Sequence, residues 1–253
     1  MRAILYIAHG TRSKKGANEA RKFVEQVMNR VDIPIQEISF LELTEPLMDE
    51  GFKRCVERGA TIISVIPLFL LAAGHIKQDI PQTLSSLHAR FPLIQILVED
   101  PFGVQEKILD AAAELVRGTA GDLQQKDRLL IVGRGSGDPQ IQADFSMIAG
   151  GMRKRLGIQH VSVCYLAAAE PRLKSGMDTV LKNAGGRVIV LPYLLFSGLL
   201  SSEIEREVIK RIKEGKQLLN IGPLSRHHIF EEIVIERATE NWLPSDSHKV
   251  LSS

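Results

Sequence analysis

Short runs of apolar, β-branched residues alternate along this chain with longer amphipathic stretches, beginning with Ala3–Ala8, which predicts a strand, and Gly16–Arg30, which predicts a helix. The pattern continues with strands expected at Ile35–Leu41, Thr61–Leu70 and Ile94–Glu99, and helices at Pro46–Arg58, His75–Arg90 and Val104–Arg117. A polar stretch, "GTAGDLQQKDR", precedes a second series of strands at Leu129–Val132, His160–Leu166, Arg187–Leu195 and Gln217–Ile221. "IISVIPLFLL" and "RVIVLPYLLF" are apolar on both faces, as strands are when helices cover both sides of a parallel sheet. The expected class is α/β, with residues 1–117 as a first lobe, 118–127 as a linker, 128–240 as a second lobe and 241–253 as a tail.

The two halves repeat each other at one offset of 125 residues. His9 in "AHGT" matches Arg134 in "GRGS", Glu45-Pro46 matches Glu170-Pro171, and Pro67 in "IPLFLL" matches Pro192 in "LPYLLF". Three separated motifs at a constant spacing indicate a duplicated unit. Each copy is expected to be a four-stranded parallel, doubly wound sheet with helices on both faces, and two such lobes would leave a cleft at the carboxyl ends of their strands.

Composition changes this picture little. With 253 residues, 44% of them hydrophobic, the chain can bury a core without disulfides. A net charge of +2 gives no reason to expect a nucleic-acid partner. The most apolar windows are interrupted by proline and fall short of the ~20 residues a membrane-spanning helix needs. The two cysteines, Cys55 and Cys164, have no C-x-x-C spacing, so a reducing, cytoplasmic location is expected, with both thiols as buried filler.

The chemistry concentrates just after the first three strands, where ligands bind in open α/β sheets. His9 follows the first, Glu42 the second, in "ISFLEL", and His75 the third, in "PLFLLAAGHIKQDIP". Two imidazoles and a carboxylate suit a first-row metal with positions left open, and neighbouring strand tips lie only roughly 5 Å apart. A lone histidine is more often structural or surface, the reading given to His88, His160, His227, His228 and His248, and Glu42 could be a solvated loop carboxylate. The second lobe acts as a control. It carries Arg134 and Ala167 where the first has His9 and Glu42, and no histidine in "PYLLFSGLL".

"GRGSGDP" suits either an anion cradled with Arg134 or a tight turn capped by Asp138, with Pro139 opening a helix. Arg12, Lys14, Lys15 and Lys77 add positive charge near the strand tips. "TEP" and "AEP", being in both lobes, read as helix starts with Glu45 and Glu170 near the N-terminus. No G-x-S-x-G, C-x-x-C, H-E-x-x-H or phosphate-loop motif occurs, so covalent catalysis through serine or cysteine has no support.

Taken together, "YIAHGTR", "SFLELTEP", "PLFLLAAGHIKQDIP", "GRGSGDP" and "LPYLLFSGLLSSEIERE" resemble the class II chelatases of tetrapyrrole biosynthesis, in particular the two-lobed sirohydrochlorin ferrochelatase group, over the chain up to about Glu240. The resemblance implies insertion of Fe²⁺ into sirohydrochlorin to give sirohaem with release of two protons. It makes the metal (Fe²⁺, or Co²⁺ or Ni²⁺) a substrate, with no permanently bound cofactor. It assigns His9 and His75 as metal ligands and proton acceptors and Glu42 as third ligand or base, and it offers Arg12, Lys77 and Arg134 as partners for the tetrapyrrole carboxylates. "LPSDSHKVLSS" lacks the histidine-rich stretch or cysteine-held cluster of some cobalt-linked members, which leans toward iron. A cobaltochelatase and a non-catalytic tetrapyrrole or metal carrier are the alternatives. Two fused lobes provide in one chain what a single-lobe relative would build by dimerising, so a monomer without nucleic-acid or membrane partners is expected.

Overall fold

A computed structural model describes residues 1–240 and 249–250, excluding the side chains of His75, Ile76, Glu240 and the final pair. His248 and most of the expected tail lie outside the described residues. The elements run β1 (Arg2–Ala8), α1 (Lys14–Met28), β2 (Ile35–Phe40), α2 (Met48–Glu57), β3 (Ile62–Pro67), α3 (Gly74–Lys77), α4 (Asp79–Arg90), β4 (Gln95–Val98) and α5 (Glu106–Ala120). They continue with β5 (Arg128–Gly133), α6 (Pro139–Leu156), β6 (His160–Tyr165), α7 (Leu173–Lys182), β7 (Val188–Pro192), α8 (Leu199–Lys213), β8 (Leu218–Asn220), α9 (Ile229–Glu240) and β9 (Lys249–Val250).

Two parallel sheets form, ordered β2-β1-β3-β4 and β6-β5-β7-β8, which is one topology used twice. The first gains a fifth, antiparallel strand, β9, paired to β4, so it exceeds the expected four. Both β1 and β5 are apolar and buried after their first residue, an arginine in each, because helices pack on both faces. Ala3–Ala8 of β1 are all buried, and each large aliphatic side chain removed from water is worth roughly 1.5–3 kcal/mol.

Local signals explain several helix ends. Ser13 Oγ accepts from the Gly16 N–H at the start of α1, and the Asp138 carboxylate accepts from the Gln140 N–H at the start of α6, with Pro139 as its first residue. The helix expected over His75–Arg90 is broken, because Gln78 sits at φ −122° and ψ −57° and the hydrogen-bond ladder restarts from its carbonyl. The helix expected from Pro46 begins only at Met48. The Pro46 carbonyl instead accepts from the Phe40 N–H, so "TEP" closes the edge of β2 and its acid is not in the first helical turn. The first-turn acids are Asp49 and Glu50.

The expected lobe boundaries also shift. One compact unit comprises residues 1–103 and 230–253, the other residues 104–229. The helix α5, expected in the first lobe, belongs to the second unit. It packs on α6, where Arg155 pairs with Glu106 and Asp110 and the Leu109 side chain lies over Gly151. The helix α9, expected in the second lobe, belongs to the first unit. There Phe230 meets Phe102 edge-on at 5.4 Å, Arg237 stacks on Phe102 and donates to the Pro101 carbonyl, and Arg30 pairs with Glu231 and Glu232. The stretch 118–127 is not a free linker either. Asp127 is 1% exposed and bonded to Arg187, whose guanidinium also donates to the carbonyls of Ala120 and Asp122.

Candidate metal centre

The order β2-β1-β3-β4 reverses direction at β1, so the tips of β1, β2 and β3 surround the switch point of the first sheet. His9 immediately follows β1, and Glu42 lies just past β2. Because Ala8 and Phe40 are register partners, the parallel ladder continues beyond both strands, with Leu41 N–H donating to Ala8 O and Glu42 N–H to His9 O. The chain then turns away at Gly10, φ +89°. A side chain there would place its Cβ 1.7 Å from the Glu42 carbonyl oxygen, so only glycine permits this approach.

The result is a facing pair. His9 Nδ1 lies 3.6 Å from Glu42 Oε1 and 3.3 Å from the Gly10 carbonyl oxygen, and the two side chains are 33% and 46% exposed. Gly10 O and Glu42 Oε1 are both acceptors, which favours the tautomer with its proton on Nδ1 and its lone pair on Nε2. The ring of Phe69, from the loop after β3, stands 6.0 Å from the His9 ring and tilted 52° to it, an apolar wall on one side.

His75 is carried by the backbone of α3, further along the loop that holds Phe69; its side chain lies outside the described residues. Among the described residues, no three histidine, cysteine or acidic side chains converge closely enough to hold an ion. The structure thus brings together two of the three expected donors. Arg12 is exposed on the His9 loop, Lys77 is exposed at the end of α3, and Arg134 is exposed at the matching tip of the second unit. At that tip the Asp138 carboxylate caps the start of α6 and Pro139 opens the helix, as the turn expected at "GRGSGDP" requires. Both cysteines are fully buried, and burial pushes each thiol up to about 12, which leaves them inert filler.

Sequence reasoning missed two residues around the pair: Phe69, and Thr44, whose hydroxyl bonds to the Thr11 backbone in the His9 loop. Thr44 could have been found by aligning "LELTEP" with "LAAAEP", where the second copy has alanine. Phe69 left no such signal, because an aromatic residue in an apolar run reads as core.

Comparison with known proteins gives the same frame. The CbiX family model matches residues 3–119 and 128–241. The chain is 41% identical over 227 residues to the sirohydrochlorin ferrochelatase of Priestia megaterium, covering 90% of this chain and 85% of that one. It is 28% identical over 247 residues to the sirohydrochlorin cobaltochelatase of the same organism, covering 95% and 80%. The structure of SirB from Bacillus subtilis with Fe³⁺ superposes with a TM-score of 0.80 at 37% identity, covering 94% of this chain and 96% of that one. With matched segments in both units and the duplicated sheet topology in common, the chain belongs to the CbiX family.

Proposed function

We propose that this protein inserts Fe²⁺ into sirohydrochlorin, forming sirohaem and releasing two protons, and that His9, Glu42 and His75 carry the step. The observation that carries this reading is the His9–Glu42 pair at the tips of β1 and β2, which the duplicate unit replaces with Arg134 and Ala167. Insertion needs a metal that is held in place and then surrendered, while two pyrrole N–H protons leave. A neutral imidazole ligates through Nε2 and, once the metal has moved to the macrocycle, accepts a proton near neutral pH. Glu42, beside Nδ1, favours the imidazolium that results. His75 supplies a second imidazole from α3. Arg12, Lys77 and Arg134 meet peripheral carboxylates of the substrate.

The greater similarity to a ferrochelatase than to a cobaltochelatase favours iron as the metal. Anaerobic incubation with sirohydrochlorin and Fe²⁺ should speed the spectral change to sirohaem. His9→Ala should lower that rate by on the order of 10²-fold or more, the range for losing a proton-transfer group. Arg134→Ala should raise the KM for sirohydrochlorin while leaving kcat nearly unchanged. Tight, stoichiometric binding of sirohaem with no acceleration would instead indicate a carrier.

A further inference from the structure

Thr44 joins the loops that bear His9 and Glu42. Its hydroxyl accepts from the Thr11 backbone N–H at 3.0 Å and donates to the Thr11 carbonyl at 2.9 Å, so one side chain satisfies both polar groups of a single residue in the neighbouring loop. Thr11 is two residues past His9, and Thr44 two past Glu42. The cross-link therefore ties the two loops together two residues beyond the facing pair.

The second unit shows what this bond is not needed for. Its corresponding loops follow the same path: Gly135 and Gly10 have φ of +86° and +89°, Ala168 and Leu43 have φ of +53° and +61°, and Ala167 N–H donates to Arg134 O as Glu42 N–H does to His9 O. The hydroxyl of Thr11 itself is shared, because it accepts from Ser13 N–H at 3.1 Å and Ser136 Oγ accepts from Asp138 N–H at the same distance. Position 169, however, is alanine, which has no hydroxyl to bridge the loops. The loop fold forms without the bridge. The copy that keeps the bridge is the copy that keeps the histidine and the glutamate.

We propose that Thr44 is a positioning residue whose hydroxyl fixes the separation of His9 and Glu42, and so the metal affinity of the pair. The proposal rests on the metal-site reading above. It assigns the bridge a cost comparable to that of other groups that orient metal ligands, for which loss weakens binding roughly 10–100-fold.

The test is a titration of the whole protein with Co²⁺ alone, by calorimetry, beside thermal unfolding and steady-state insertion rates. Thr44→Ala is expected to fold, since Ala169 occupies the same backbone in the second unit. It should weaken Co²⁺ binding about 10-fold and raise the KM for the metal more than it lowers kcat. Thr44→Ser, which keeps the hydroxyl, should bind Co²⁺ within about 3-fold of the parent. If Thr44→Ala lowers only the melting temperature and leaves Co²⁺ affinity unchanged, while His9→Ala abolishes binding, the positioning role is overturned and the metal site stands. If His9→Ala also binds Co²⁺ normally, the metal-site reading itself falls. Should Thr44→Ala aggregate, Thr44→Ser decides alone, since tenfold weaker binding with the hydroxyl retained contradicts the role.

Discussion

Beneath the strand tips, the two units solve one packing problem in opposite ways. In the first unit β1 ends in Ala8 and α1 carries Ala20, both buried. In the second unit the matching residues are Gly133 and Phe145, and Phe145 meets Tyr165 and Tyr193 edge-on at 5.4 and 5.6 Å. A Cβ at Gly133 would lie 2.3 Å from the Phe145 ring, so the missing methyl is the room the ring occupies. Where the first unit offers His9 and Glu42 to solvent, the second has an aromatic plug below an exposed arginine. Among the described residues the Tyr193 hydroxyl within that plug has no hydrogen-bond partner, and burial together with the nearby Asp144 pushes its pKa up, so it stays a neutral phenol. Duplication preserved the backbone path and left side-chain chemistry free to diverge.

The severest test of that shared path lies at the glycines common to both units. Gly10→Ala and Gly135→Ala each force a left-handed residue's Cβ to within 2 Å of a carbonyl oxygen, 1.7 and 1.9 Å respectively. Each should cost on the order of 4 kcal/mol or more, the range reached only by severe clashes or strain. Denaturant midpoints followed in each unit by hydrogen exchange would show whether the losses are alike; a mild Gly135→Ala would mean that the second loop is not held as the first is.

An ion pair that the first unit cannot copy comes next, since Arg2 and Ile62 stand where the second unit has Asp127 and Arg187. Burial alone would push the Asp127 carboxyl up, but hydrogen bonds from the Arg187 guanidinium and from the backbone N–H groups of Gln124 and Arg187 outweigh it and hold the group below the usual carboxylate range. A folded pKa below the unfolded value of ~3.9 adds stability that is fully present above that pH and is lost as pH falls through the folded value. Asp127→Asn should therefore cost about 3–5 kcal/mol at pH 7, as breaking a buried pair does. It should also flatten the acid limb of stability for β5 and β7 while leaving β1 and β3 unchanged, as exchange rates measured from about pH 5 downward would report.

The smallest effect is a coupling. Phe145→Ala alone should cost about 3–5 kcal/mol by leaving a cavity, and Gly133→Ala alone should strain the same ring. Made together they restore the alanine pair of the first unit, and a double-mutant cycle in urea should show about 1–3 kcal/mol of favourable coupling. Strict additivity would mean that ring and glycine do not share this space.

Much of the fold was legible because its signals are local or periodic. The eight parallel strands fell where apolar runs predicted them, though β9 did not, and the constant offset between matching motifs exposed the duplication. Of the site, His9 and Glu42 could be nominated because a parallel sheet gathers strand tips. Their facing geometry could not be, since it depends on a ladder that runs past the strand ends and on Gly10 clearing a carbonyl. The membership of α5 and α9 was equally hidden. An amphipathic helix declares that it has an apolar face, not which sheet that face will cover, and Arg237 on Phe102 is a contact between residues far apart in sequence.

The order of residues alone thus specifies the alternation of strands and helices, their use in two copies, and the asymmetry that leaves His9, Glu42 and His75 in one copy. Hydrophobic period and repeat spacing are properties of the chain in one dimension, so they can be read there. That Thr44 bridges two loops, that Phe69 stands beside His9, and that the helices following β4 and β8 each join the other unit are settled in three dimensions. Those outcomes rest on which distant surfaces bury one another and on where an unpaired backbone group finds its partner, and neither leaves a mark in the local order of residues.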